Sequence, residues 1–402
     1  MPDVSSNHRS GGGHTDPSFT LTAGPVMASE RVRRALGAQI GYDYDDVFLD
    51  RFRDTQDKLA RIFRTSSYVV LMQGEAVLGL DAIARGLVSN GTKVLNLVSG
   101  VYSKWYTPTL TALGATVVEL QVEFNSAIDP GAVRAALTDH PDVDVVTITH
   151  CETPAGTLNP LGEIGAVVRE HGALFVCDAV SSLAGHEVAV DEWGIDICIS
   201  APQKCLGAAP GLSMISVSDR AWDAIRANPS APRNSPLSLI DWRDIWEEEH
   251  RFPFTPSVVE INGLHAACAE VLDDGLSSTI ARHEQAARAA WAGCRAAGIE
   301  LWPQSDAVAA SCVTAARVPA DIDEAELRRT IRERSGVVIS GSQGELVGKV
   351  VRVGHMGIAS RSLYPLVGVA ALADGLQALG ASVDAGAGAK ATLAALTGGS
   401  HE

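Results

Sequence analysis

Seven short apolar runs, at 68–72, 94–98, 116–120, 143–149, 173–178, 195–200 and 212–217, are separated by stretches most of which carry helical periodicity. The runs are nearly continuous in Val, Ile and Leu, as expected of strands buried on both faces. Strands alternating with helices predict an α/β fold built on a mainly parallel, doubly covered seven-stranded sheet. Near residue 273 the pattern changes. A long helix rich in Ala and Arg is expected at 278–297, strands near 309–314, 337–340 and 350–354, and helices at 323–335 and 363–379. These describe a smaller α+β unit. The expected division is a flexible segment 1–17, too rich in Ser, Gly and His to bury much apolar surface, then units 18–272 and 273–384. An Ala- and Gly-rich tail, 385–402, is expected to form a weak helix with a frayed end. No internal repeat is present.

The chemistry concentrates where two of the apolar runs end. Run 173–178 ends in Asp178, and run 195–200 leads into Ser-Ala-Pro-Gln-Lys-Cys-Leu-Gly at 200–207, which holds Lys204. A lysine at the end of a buried strand loses hydration, so its ammonium pKa falls and the neutral amine becomes a nucleophile towards carbonyls. The alternative is an exposed loop lysine. A strand, a crossover and a second strand put Asp178 and Lys204 at the carboxyl edge of one sheet, where open α/β sheets bind ligands. A pyridoxal-type group needs that pair: an amine to hold its aldehyde and a carboxylate to keep its ring nitrogen protonated. The alternative for Asp178 is a helix N-cap.

Composition excludes other classes. Over 402 residues the net charge is −16, with no local cluster of Lys and Arg, which opposes nucleic acid and anionic membrane surfaces. No apolar run reaches the ~18 residues of a membrane helix, and the first residues lack the apolar core of a signal peptide, so a cytoplasmic protein is expected. Seven scattered cysteines without a Cys-x-x-Cys pair read as reduced core thiols and not as a disulfide framework or zinc site.

Several stretches together identify a resemblance: Leu-Thr-Ala-Gly-Pro-Val at 21–26, Tyr-Asp-Tyr-Asp at 42–45, Gly-Glu-Ala-Val-Leu-Gly at 74–79 and Leu-Val-Ser-Gly-Val-Tyr at 97–102. Further on stand Pro-Gln-Lys-Cys-Leu-Gly at 202–207, Phe-Pro-Phe-Thr-Pro-Ser at 252–257 and Arg-Val-Gly-His-Met-Gly at 352–357. From about residue 21 to 379 the chain resembles the class V, fold type I aminotransferases of the alanine–glyoxylate group. The resemblance implies that Lys204 forms the imine and moves the proton, and that Asp178 partners the ring nitrogen. It makes Tyr102 the aromatic against the ring, where a core tyrosine is the alternative. It puts Thr153 near the ring oxygen, where a turn residue ahead of Pro154 is the alternative, and Val180 and Gln203 beside the cofactor. Arg352 would grip the substrate carboxylate, its fork of donors matching a planar anion, with Gly24 and Gln343 nearby; a structural salt bridge is the alternative. Segment 252–257, with Phe252 and Thr255, reaches a neighbour's site in that family, which implies a homodimer or homotetramer. The implied partners are small molecules, a 2-oxo acid and an amino acid.

One stretch departs from most of the group. Its members cradle the cofactor phosphate at a helix start with small residues and free backbone N–H groups. This chain has Glu75 and Ala76 there, and a carboxylate at a helix start takes those donors and repels a dianion. A tyrosine that contacts the phosphate across the dimer is replaced by Phe252. A favourable first-turn acid would explain Glu75 but not both changes. Together they match a branch that uses unphosphorylated vitamin B6, which implies amino transfer between pyridoxamine or pyridoxal and a small 2-oxo acid such as pyruvate. Gln343 stands where that branch carries an arginine, which implies an altered or weakened keto-acid preference. The alternatives are a pyridoxal 5′-phosphate-dependent alanine, serine or aspartate to glyoxylate aminotransferase, and a lyase or β/γ-replacement enzyme on the same fold. A non-catalytic vitamin-binding protein is a third, opposed by the intact Lys204 and Asp178.

Overall fold

All seven apolar runs become strands of one sheet in a computed structural model that describes residues 16–398. They are β1 (Tyr68–Gln73), β2 (Lys93–Val98), β3 (Thr116–Gln121), β4 (Val145–Thr149), β5 (Leu174–Asp178), β6 (Ile197–Ser200) and β7 (Leu212–Val217). Residues 1–15 of the segment expected to be flexible, and the end of the tail after 398, lie outside the described residues.

The order across the sheet is β1-β7-β6-β5-β4-β2-β3. Every neighbouring pair is parallel except the two that involve β7, which runs antiparallel to β1 and β6. The cause is the link from β6 to β7, which holds no helix; without a crossover a strand can only turn back. That link, at 201–211, carries Lys204. Successive residues of a strand serve opposite layers: Leu71, Cys198 and Met214 join one apolar cluster, Val70, Ile199 and Ile215 the other.

A second, antiparallel sheet has the order β8 (Val313–Arg317), β10 (Val350–Gly354), β9 (Ser340–Gly341). β8 begins later than the sequence suggests, because Asp306–Val308 forms a 3₁₀ turn and the Ala310 N–H bonds to Gly156 O at 2.8 Å. Helices Leu276–Ala297, Glu324–Ser335 and Tyr364–Ala378 share their apolar faces with this sheet. The start of the chain is tied here too: Phe19–Thr20 pairs in parallel with Val337–Val338, Gly354 N–H donates to Leu21 O at 2.8 Å, and Ala23 N–H donates to Ser340 Oγ at 3.0 Å. Residues 21–24 are thereby carried to the edge of the large sheet.

The tail is better ordered than its composition suggests. Ala385–Thr397 forms a helix whose N-cap Asp384 accepts from Ala387 N–H at 2.9 Å. It lies on Leu276–Ala297, with Thr392 fully buried and Gln285 Nε2 donating to Leu396 O at 3.0 Å. Packing of small residues supplies the stability that helix propensity alone does not. No helix among the described residues is long and apolar enough to cross a membrane.

Candidate active site

A cavity of about 610 Å³ opens beyond the carboxyl ends of the parallel strands. Asp178 is the last residue of β5, Lys204 follows β6, Tyr102 follows β2 and Glu75 follows β1, and all four side chains border the cavity with Ala76, Val180 and Gln343. Residues far apart in sequence meet because each lies where a strand of one parallel sheet ends.

Lys204 is held by the N-terminal segment. Its Nζ donates to Ala23 O at 2.7 Å. The next residue, Gly24, has φ +103°, and a Cβ there would stand 2.6 Å from Lys204 Nζ, so only glycine permits this approach. Burial, aided by the Arg352 charge, holds the ammonium pKa below the usual lysine range and makes the neutral amine accessible. At the opposite wall Asp178 Oδ1 accepts from Val180 N–H at 2.8 Å. Desolvation pushes this carboxyl up to about 6, against the pull of that hydrogen bond and of Lys204. A cationic ring nitrogen beside it would favour the ionised form.

The wall between them depends on Glu152, a residue that sequence reasoning did not single out although it precedes Thr153. Fully buried, Glu152 accepts from Tyr102 N–H (3.0 Å), Ser103 N–H (2.7 Å) and Ser103 Oγ (2.6 Å), so it caps the helix Val101–Ala112 that presents Tyr102. Gly100 leaves the space for this carboxylate, since a Cβ there would stand 2.4 Å from Glu152 Cδ. The Tyr102 ring meets Trp105 edge-on at 5.5 Å, one helical turn away, and Trp105 also lines the cavity. Burial raises the Tyr102 phenol, while Arg352 and Thr153 beside its hydroxyl oppose the rise. Thr153 is buried behind this wall with its Oγ1 3.4 Å from Ser181 Oγ.

Arg352 lies on β10 opposite Ser340 and is 6% exposed. Its Nε donates to Gly341 O at 2.7 Å, and it forms no ion pair among the described residues. The structural salt bridge that sequence reasoning left open is therefore absent among them. A buried guanidinium without a carboxylate is costly and calls for an anion.

At the other end, Glu75 is the N-cap of the helix Ala76–Leu87: its Oε2 accepts from Val77 N–H at 3.1 Å and its Oε1 from Gln203 Nε2 at 3.1 Å. Gln203 Oε1 is buried with no partner among the described residues. Phe252 and Thr255 do not line this chain's cavity. Phe252 sits in an aromatic cluster, 4.9 Å from Phe52 and stacked on Trp246 at 5.1 Å, and Thr255 is exposed.

These features fit a pyridoxal-type group. There is an amine for its aldehyde, a carboxylate for its ring nitrogen, an aromatic wall and a volume within the range of small-molecule sites.

The buried titratable groups fix the acid stability of the ligand-free protein. Burial keeps His150, His283 and His355 neutral, with pKa values lowered to about 3, 4 and 4, and pushes Glu152 up to about 7. Below pH 6.5 the unfolded chain takes up three protons that these imidazoles refuse, which costs stability. Glu152 and Asp178 take up protons first in the folded state and offset about two of them. The unfolded chain therefore binds more protons than the folded one, and urea unfolding should show stability falling as the pH drops from 6 to 4.5, by roughly 1 kcal/mol per pH unit. A flat or rising profile would mean that the imidazoles become charged in place.

A seven-stranded, mostly parallel sheet with a lysine and a carboxylate at its carboxyl edge defines a fold type I, vitamin B6-type enzyme. Residues 34–370 match the family described as Aminotransferase class-V, and the chain belongs to that family of aminotransferases. Over 383 residues it is 44% identical to the pyridoxamine–pyruvate transaminase of Mesorhizobium japonicum, covering 95% of this chain and 98% of that protein. The crystal structure of pyridoxamine–pyruvate aminotransferase from Mesorhizobium loti matches with a TM-score of 0.94 at 43% identity, over 96% of this chain and 99% of that one. Ureidoglycine–glyoxylate aminotransferase from Bacillus subtilis matches with a TM-score of 0.90 at 29% identity, over 95% and 99%.

Proposed function

We propose that this aminotransferase moves an amino group between unphosphorylated pyridoxamine or pyridoxal and a small 2-oxo acid such as pyruvate. The observation that carries the reading is Glu75. Its carboxylate takes the helix-start donor that would otherwise face a phosphate, and its charge repels a dianion. The 44% identity to a pyridoxamine–pyruvate transaminase supports the same choice.

The vitamin ring, when bound, supplies the electron sink for proton removal from the amino-bearing carbon. Lys204, with a lowered pKa, moves a proton between the vitamin C4′ and the substrate Cα. Asp178 holds the proton on the ring nitrogen. Tyr102 packs on the ring, Thr153 stands near its oxygen, and Val180 and Gln203 complete the wall. Arg352 binds the keto-acid carboxylate beside Gly24 and Gln343. Because Gln343 borders the cavity where a pyruvate-specific relative would carry a cation, a second reading is a pyridoxal 5′-phosphate-dependent glyoxylate aminotransferase.

Exposed apolar side chains support a homo-oligomer: Val77 and Trp105 at the cavity rim, 70% and 53% exposed, and Tyr42, 69% exposed. In that assembly Phe252 and Thr255 would approach a neighbour's cavity. We propose a cytoplasmic location and retain the division into units 18–272 and 273–384, with an appended tail helix.

Absorbance titrations with pyridoxal and its phosphate test the reading. Wild type should bind pyridoxal more tightly. Glu75→Gly, alone or with Phe252→Tyr, should raise phosphate affinity at least tenfold, about 1.4 kcal/mol, by freeing helix-end donors and removing a repulsion. Micromolar binding of the phosphate to wild type, with weaker pyridoxal, would promote the second reading.

Arg352→Lys retains a charge but loses the two-pronged geometry. The keto-acid KM should rise about 10- to 100-fold, matching ~1.5 to 3 kcal/mol for a charged hydrogen bond, with pyridoxamine binding little changed. A loss confined to pyridoxamine binding would move Arg352 out of the carboxylate pocket.

A further inference from the structure

The short hairpin after β4, in which Cys151–Glu152 pairs with Thr157–Leu158, sets the Cys151 thiol against the Cys312 thiol, Sγ to Sγ 3.4 Å, across 161 positions of sequence. Both are buried, and Cys151 borders the cavity, so a small solute entering the cavity reaches it first. His186 lies with them, the three ligand atoms all within 4.8 Å of one another, a donor set able to hold a soft metal ion.

Three observations favour a bond between the sulfurs over a shared metal. With Zn–S of about 2.3 Å, tetrahedral geometry separates two sulfurs by about 3.8 Å, more than is found here. The His186 Nε2 lone pair already accepts the Ser311 N–H at 3.1 Å. The Arg352 guanidinium lies within electrostatic reach of Cys151, which opposes a cation there.

We infer that Cys151 and Cys312 form a reversible oxidation site, converted to a disulfide by hydrogen peroxide that enters through the cavity. The Cys151 sulfur attacks one peroxide oxygen, the O–O bond breaks, and the thiol proton leaves with the other oxygen as water, giving a sulfenic acid. The Cys312 sulfur attacks that sulfur, the S–O bond breaks, and the hydroxyl leaves with the Cys312 proton as a second water. Two thiols lose two electrons, and one peroxide becomes two waters.

Closing the sulfurs to about 2.05 Å pulls on the segment Cys151-Glu152-Thr153. Glu152 caps the helix that presents Tyr102, so the linked form distorts one wall of the cavity and slows transamination. That consequence rests on the proposed use of the cavity; the link itself does not.

The test treats the purified full chain with hydrogen peroxide, blocks remaining thiols and digests with trypsin without reductant. Cys151, Cys205 and Cys312 then fall on separate peptides, 135–169, 205–220 and 296–317. The expected product joins 135–169 to 296–317, disappears with dithiothreitol, and is absent from Cys312→Ser and Cys312→Ala. Amino transfer should fall at least tenfold on oxidation and return with dithiothreitol, while either Cys312 variant retains its activity through the treatment. Sulfinic acid on Cys151 without a link, a link from Cys205 to Cys312, or one zinc ion per chain lost in Cys312→Ser would overturn the site. A linked peptide with unchanged activity would leave the oxidation site standing and overturn the assigned use of the cavity.

Discussion

Lys204→Ala is expected to lower amino transfer between pyridoxamine and a 2-oxo acid by more than ~10⁴-fold while leaving a folded protein. Loss of a positioned proton carrier costs about 10²- to 10⁴-fold, and loss of the amine that engages the aldehyde adds to this. The fold should survive because Nζ makes one hydrogen bond, to Ala23 O, and removing a desolvated amine relieves as much as it loses. Steady-state rates with circular dichroism of the same preparation check both halves. Turnover within tenfold of wild type would remove Lys204 from the chemistry.

Asp178→Asn separates charge from shape. Asparagine keeps an oxygen for the Val180 N–H, 2.8 Å away in the native protein, but cannot hold a proton on a ring nitrogen by charge. Turnover should drop about 10²- to 10³-fold, the usual cost of removing one preorganised electrostatic partner. An N-methylated pyridoxal, whose ring carries a fixed positive charge, should recover part of the loss. If turnover is unchanged, Asp178 serves as a turn cap and nothing more.

How the two halves of this site became legible differs. The apolar runs disclosed β1 to β7 because a strand buried on both faces leaves a local, nearly continuous signature. Asp178 and Lys204 could be put at the carboxyl edge because each follows such a run, and parallel alternation turns sequence order into spatial adjacency. The helix start at Glu75 was similarly local. A cap needs only a side chain and the N–H groups two or three residues on.

Other parts of the site were decided by tertiary structure. Nothing near Lys204 in sequence announces Ala23 O as its acceptor; that contact exists because Phe19–Thr20 pairs with Val337–Val338 and delivers residues 21–24 to the sheet edge. Nothing in the sequence singles out Glu152; the fold sets it under the helix start at Val101, where its oxygens complete three hydrogen bonds. Periodicity marks Arg352 as lying in a buried strand, but only the surroundings of that strand reveal that no carboxylate among the described residues pairs with it. The tail helix and the Cys151–Cys312 contact have the same origin. The sequence by itself determined the strands of the large sheet and where each of them ends, since burial periodicity and capping act within a few residues. The partner each buried group meets was decided only in three dimensions, because close packing brings together atoms that no local pattern connects.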